Sequence, residues 1–176
     1  MTLMNIASAA LLAAAFGTAA QAHATLEQQE AATGSFYKGV MRIGHGCSGE
    51  ATLKLRITIP EGVISVKPMP KAGWTLETVT GDYANSYDYY GKTLTSGVKE
   101  IIWTGELQDD FYDEFTFRAK LDGSLEPEAM LFFPTVQECA SGENSWSEIP
   151  AAGQDPHDLA HPAPGLHLTA PAAHTH

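Results

Sequence analysis

A chain of 176 residues with a formal net charge of -11 has room for one domain with a real apolar core. Net acidity argues against nucleic acid and anionic membrane as partners, and mildly favours capture of cations.

The first elements in chain order belong to export. An apolar run from Ile6 to Phe16 ends in Ala20-Gln21-Ala22, a small-x-small cleavage site, so residues 1–22 read as a secretory signal. Met1 to Asn5 contains no Lys or Arg, which leaves the terminal amine as its only positive charge. The run is too short for a typical spanning helix, and nothing after it is long and apolar enough to be one. The expected product is an exported protein, periplasmic or secreted. A cut after Ala22 would make His23 the first residue of the mature chain. A terminal His is a chelator by itself, because its α-amine and imidazole Nδ1 close a ring on one ion. That pair suits a tetragonal Cu(II) or Ni(II) centre. The amine, with a pKa of about 7.7–8.0, yields its proton to a metal near neutral pH.

Strand signals dominate from Ser35 to Pro150. In Ala51 to Ile59, Leu53, Leu55, Ile57 and Ile59 alternate with Thr52, Lys54, Arg56 and Thr58, the pattern of a half-buried strand. Pro60-Glu61-Gly62 ends it with turn chemistry. Val63 to Val66 is a second short run, and Pro68 to Gly73 cannot lie in a central strand because its prolines remove ladder donors. Trp74 to Val79 resumes alternation, Gly81 to Gly91 reads as a tyrosine-rich loop, and Val98 to Trp103 reads as another strand. In Phe111 to Leu121, Phe115, Phe117, Ala119 and Leu121 point inward while Glu114, Thr116 and Arg118 point outward. Ala129 to Val136 and Ser145 to Ile149 complete seven or eight short strands. No stretch after the signal has helical period. The expected fold is an all-β sandwich over residues 23–150, with a barrel as the alternative. Ala151 to His176, rich in Ala, Pro, Gly, Asp and His, reads as a flexible tail in which only Leu166 to Leu168 could touch the domain.

Cys47 and Cys139 are an even pair in an exported chain, so a disulfide is the default reading. It would close a loop of roughly 90 residues, worth about 4–5 kcal/mol by chain entropy. A Cu(I) thiolate pair is the competing reading and needs a reducing or protected setting. The seven histidines are His23, His45, His157, His161, His167, His174 and His176. Five fall in the tail, where irregular spacing suits weak recruitment of Cu or Zn at most. His45, in Gly44-His45-Gly46-Cys47, reads as a loop or core histidine ahead of a ligand. Taken alone, Glu114 reads as an exposed strand carboxylate and Trp146 as a core or sheet-face aromatic. Ser48 and Ser145 lack a nucleophile elbow. A His-Glu-x-x-His helix and a glycine-rich phosphate loop are both missing. The acid pairs Asp109-Asp110 and Asp113-Glu114 resemble a glycosidase dyad only in composition.

Taken together, a series of segments resembles the YcnI-like copper-binding domain family of exported bacterial proteins. They are His23 to Leu26, Arg42 to Cys47, Ile59 to Val63, Lys67 to Trp74, Lys99 to Trp103, Tyr112 to Phe117, Phe133 to Cys139 and Trp146 to Pro150. The cysteine pair looks like the variant in proteobacterial members. The resemblance implies an immunoglobulin- or fibronectin-like β-sandwich. It also implies a Cu(II) site built on one terminal histidine, a mono-histidine brace. In that brace the terminal His supplies amine and imidazole, a strand Glu supplies oxygen, and a Trp borders the metal. Carried over by motif, these are His23, Glu114 and Trp146. The expected role is binding without catalysis, in copper trafficking or homeostasis. A periplasmic copper chaperone or a copper-transporting membrane protein would be the partner. Two rivals stand beside it. A copper-dependent polysaccharide oxygenase would need a second histidine, for which His45 is the one candidate in the expected folded region. A metal-free β-sandwich interaction module would need no metal at all.

Overall fold

The computed structural model describes residues 23–171. The signal, its cleavage site, His174 and His176 lie outside the described residues. Two sheets face each other. The first has the order β1 (Thr25–Leu26), β3 (Phe36–Ile43), β8 (Asp113–Leu121), β5 (Val63–Pro68). The second runs β11 (Glu143–Trp146), β10 (Thr135–Cys139), β4 (Thr52–Thr58), β7 (Lys92–Leu107), β6 (Thr75–Tyr89). A third, three-stranded sheet joins β2 (Glu30–Ala32), β12 (Gly165–Thr169) and β9 (Met130–Phe132). The expected immunoglobulin-like sandwich is the fold.

Alternation explains the core. Phe115, Phe117, Ala119 and Leu121 on β8 are fully buried against Leu55, Ile57, Ile101 and Trp103 of the opposite sheet. In β5, Pro68 is tolerated because β5 is an edge strand of its sheet, where one side of the ladder stays open. Among the described residues the one helical element is a 3-10 turn, Pro156–Asp158.

Four expectations need correction. First, Leu53 does not point inward. The register of β4 shifts between Thr52 and Lys54, so Thr52 is buried at 0 % exposure while Leu53 is 37 % exposed. Second, Gly81 to Gly91 is not a loop. Most of it continues β6 into a long hairpin with β7. Tyr90 and Gly91 both have positive φ (53° and 76°) between paired Tyr89 and Lys92, the backbone of a two-residue hairpin turn. Third, Ala129 to Val136 is not one strand. The chain leaves β9 at Phe133-Pro134 and enters a different sheet as β10, because Pro134 has no donor for a continuing ladder.

Fourth, the domain does not stop at Pro150, and the segment after it is not a free tail. β12 pairs in parallel with β2 and antiparallel with β9. Leu166 and Leu168 alternate into the core at 0 % and 1 % exposure. A five-residue strand with two buried leucines was too short to outweigh its Ala- and Pro-rich surroundings in sequence. His167, on the other face, lies 3.8 Å from Glu30 and 3.6 Å from Glu128.

Candidate metal centre

Trp146 ends β11 opposite Thr135 and turns into the sandwich, where it is 5 % exposed and part of the main core. Its indole N–H donates to Gln137 Oε1 at 3.3 Å. Gln137, itself 1 % exposed, donates from Nε2 to Thr52 Oγ1 at 2.7 Å and to the His45 carbonyl. The inward turn of Thr52 at the β4 irregularity therefore helps to fix Trp146 and the His45 loop together. That loop is held from several sides. The Gly46 N–H donates to Asp109 Oδ1 at 2.9 Å, and Cys47 exchanges backbone bonds with Glu50. A disulfide joins Cys47 to Cys139 at the end of β10. Gly46 is required here, because a Cβ would stand 1.6 Å from the Glu50 carbonyl oxygen.

Two imidazoles meet the Trp146 ring. His23 packs against it with centroids 5.2 Å apart and planes at 67°, and His161 does so at 5.3 Å and 60°. His161 comes from the segment read as tail. Glu148, two residues past Trp146, clips it in place. The Glu148 N–H donates to the His161 carbonyl at 3.0 Å, its carboxylate accepts the His161 N–H, and its own carbonyl accepts from Ala163 at 2.8 Å. His157 sits on the 3-10 turn, whose first turn is capped by the Asp155 side chain. His23 and His157 line one cavity of about 190 Å³, walled also by Met130, Phe132 and Pro164.

Burial, then the positive charges that His157, His161 and His45 would carry, hold the His23 imidazole below its usual pKa of 6.5. His23 is thus biased toward the neutral form, the one that ligates a metal. Among the described residues, no three His, Cys, Asp or Glu side chains stand close enough to enclose an ion. A complete site would have to draw on a donor beyond those side chains.

The structure brings His23 and Trp146 together, and it brings Cys47 and Cys139 into a disulfide. Glu114 has contacts of its own on β8. Glu114 accepts a hydrogen bond from Tyr112 and lies 4.0 Å from the Arg42 guanidinium, which also pairs with Glu27 at 3.5 Å. In register, Glu114 faces Arg42 and Arg42 faces Thr25. Two inter-strand spacings, about 10 Å, separate Glu114 from Thr25. Sequence reading missed His157 and His161. The only signal was histidine density in the tail, and nothing in sequence tied that density to Trp146.

The profile of a domain of unknown function (DUF1775) matches residues 23–168. The chain belongs to this family. It is the family to which the YcnI-like resemblance points. Its span agrees with the structure in running past Pro150 to include all but the last residue of β12. The chain is also similar to an uncharacterized protein from Nocardia farcinica, whose crystal structure is described as revealing an immunoglobulin-like fold. The two are 25 % identical, with a TM-score of 0.61 over 84 % of this chain and 98 % of that one. No curated protein matches.

Proposed function

We propose that this protein is an exported Cu(II)-binding protein of copper trafficking or homeostasis. In this reading the ion is held by the α-amine and imidazole of a mature terminal His23, with Trp146 bordering it. The observation that carries the reading is the placement of His23. A residue two positions before β1 is packed edge-on against a buried indole, and its imidazole is biased toward neutrality. Nitrogen donors in a tetragonal arrangement favour Cu(II), which heads the divalent affinity order. Copper is cargo here, and the indole shields one side of it from water. The family supports a shared fold, while the copper assignment rests on the donors themselves. Among the described residues no helix is long and apolar enough to cross a membrane, and a disulfide suits an oxidising compartment.

Tyr112 and Arg42 both meet Glu114 through Oε1; the brace proposed here relies on His23 and Trp146. The oxygenase alternative needs an open flat face for a polymer. The C-terminal segment walls the cavity beside His23, and this favours holding copper over presenting it to a polysaccharide. A copper chaperone or a copper-transporting membrane protein is the partner class that fits such a holder. The test is intact-mass analysis of the exported protein, followed by Cu(II) titration with spectroscopy. A chain starting at His23 that takes one equivalent supports the reading. A different start, or no binding by a chain starting at His23, overturns it.

A further inference from the structure

The strongest unassigned group of chemically active side chains lies on the C-terminal segment. We infer that His157 is a second imidazole donor to the ion at His23, delivered by the segment between Glu148 and Ala163, which closes over the site as a strap. This inference rests on the copper reading of His23.

Three observations carry it. His157 and His23 line the same cavity, whose volume of about 190 Å³ exceeds what one hydrated ion needs. The strap is anchored beside Trp146 by the Glu148 clip and by the His161 ring on the indole. Between those anchors its hydrogen bonds are internal: Gln154 to Ala151, His157 and Asp158 to Asp155, and Leu159 to Pro156. Residues 151–158 are all exposed. The turn bearing His157 can thus move toward the cavity without breaking a hydrogen bond to the β-sandwich. A neutral imidazole is a suitable donor for Cu(II).

His161 has a different part. Its ring lies against Trp146 and its backbone is clipped on both sides, so it is a positioning residue for the strap. The Asp155 cap and Pro156 give the His157 turn a defined shape before any ion arrives. The entropy cost of ordering that donor is therefore reduced.

The experiment is pulsed EPR on the mature full chain loaded with one equivalent of Cu(II), which counts coupled imidazoles through their remote nitrogens. The expected wild-type result is two imidazoles. His157→Ala and His157→Gln should each leave one and weaken Cu(II) binding by roughly 10–100-fold, the range that even outer-shell partners of metal ligands command. His161→Ala should keep two, with a broader distribution of couplings. A wild-type count of one, or two imidazoles retained in both His157 variants, overturns the strap donor while leaving His23 binding intact. Loss of the second imidazole in His45→Ala with none in the His157 variants overturns it in favour of the disulfide loop. A wild-type chain that takes no Cu(II) overturns both readings. Circular dichroism of each variant confirms that an exposed position has been changed without loss of the fold.

Discussion

The two edges of the five-stranded sheet carry aromatic pairs of similar geometry and opposite chemistry. On β6, Tyr83 and Tyr87 pack edge-to-face at 5.4 Å, and on β11, Trp146 meets His23 at 5.2 Å. The tyrosine edge is electrically closed. Glu61 accepts from Tyr87 at 2.7 Å, from Lys99 at 3.0 Å and from the Asn85 N–H at 3.3 Å, and Lys99 lies over the Tyr83 ring. The Glu61 and Lys99 charges there offset each other. The tryptophan edge instead gathers imidazoles, and His45, His157 and His161 all disfavour a proton on His23. A network whose charges cancel holds structure. A collection of bases that repel each other's protons is suited to a cation from outside.

This contrast can be broken from either side. The largest effect should come from Cys47→Ala with Cys139→Ala, which frees the loop carrying His45. Chemical denaturation should show a loss of about 4–5 kcal/mol. The Tyr83–Tyr87 cluster should keep its native signal until global unfolding. Next comes Trp146→Ala, expected to cost about 3–5 kcal/mol as a large truncation in the core and to weaken copper binding. Trp146→Phe should cost less, about 1–3 kcal/mol, largely because Gln137 loses its donor.

Glu61→Gln sharpens the other edge. Burial alone would raise the Glu61 pKa, but hydrogen bonds from Tyr87, Lys99 and the backbone of Ala84 and Asn85 outweigh it and hold the carboxyl at about 2. A depressed carboxylate contributes stability that is present above its unfolded pKa of 4.5 and is lost as pH falls from there through about 2. Wild type should therefore lose stability between those values more steeply than Glu61→Gln, and the variant should be weaker by about 1–2 kcal/mol at neutral pH. Copper binding should be unchanged. The smallest effect belongs to Glu114→Gln, whose stability change should stay within about 0.5 kcal/mol and whose Cu(II) spectrum should match wild type. A changed spectrum would return Glu114 to the site.

Sequence periodicity carried the sandwich because β8 and most of β4 alternate without interruption, and period two is a strong signal. It failed at Leu53, where an irregularity between strands reverses the faces, since register belongs to pairing and not to one strand. It failed for Gly81 to Gly91 because polar and glycine residues on an edge hairpin look like a loop. His23 and Trp146 were legible, one through a cleavage site and the other through a family motif. Glu114 was legible on the polar face of its strand and as a ligand only by motif, and its Oε1 meets Arg42 and Tyr112. His157 and His161 were hidden because their role depends on β12 docking beside β2. That parallel pairing joins segments more than a hundred residues apart.

The central claim is that the terminal amine of His23 completes a copper site at the tryptophan edge. It is tested most directly by titrating Cu(II) into two forms of the chain beginning at His23, one with a free amine and one acetylated. EPR should show one tetragonal, nitrogen-ligated Cu(II) in the free form and its loss in the acetylated form. Equal affinity and identical spectra for the two forms would contradict the account.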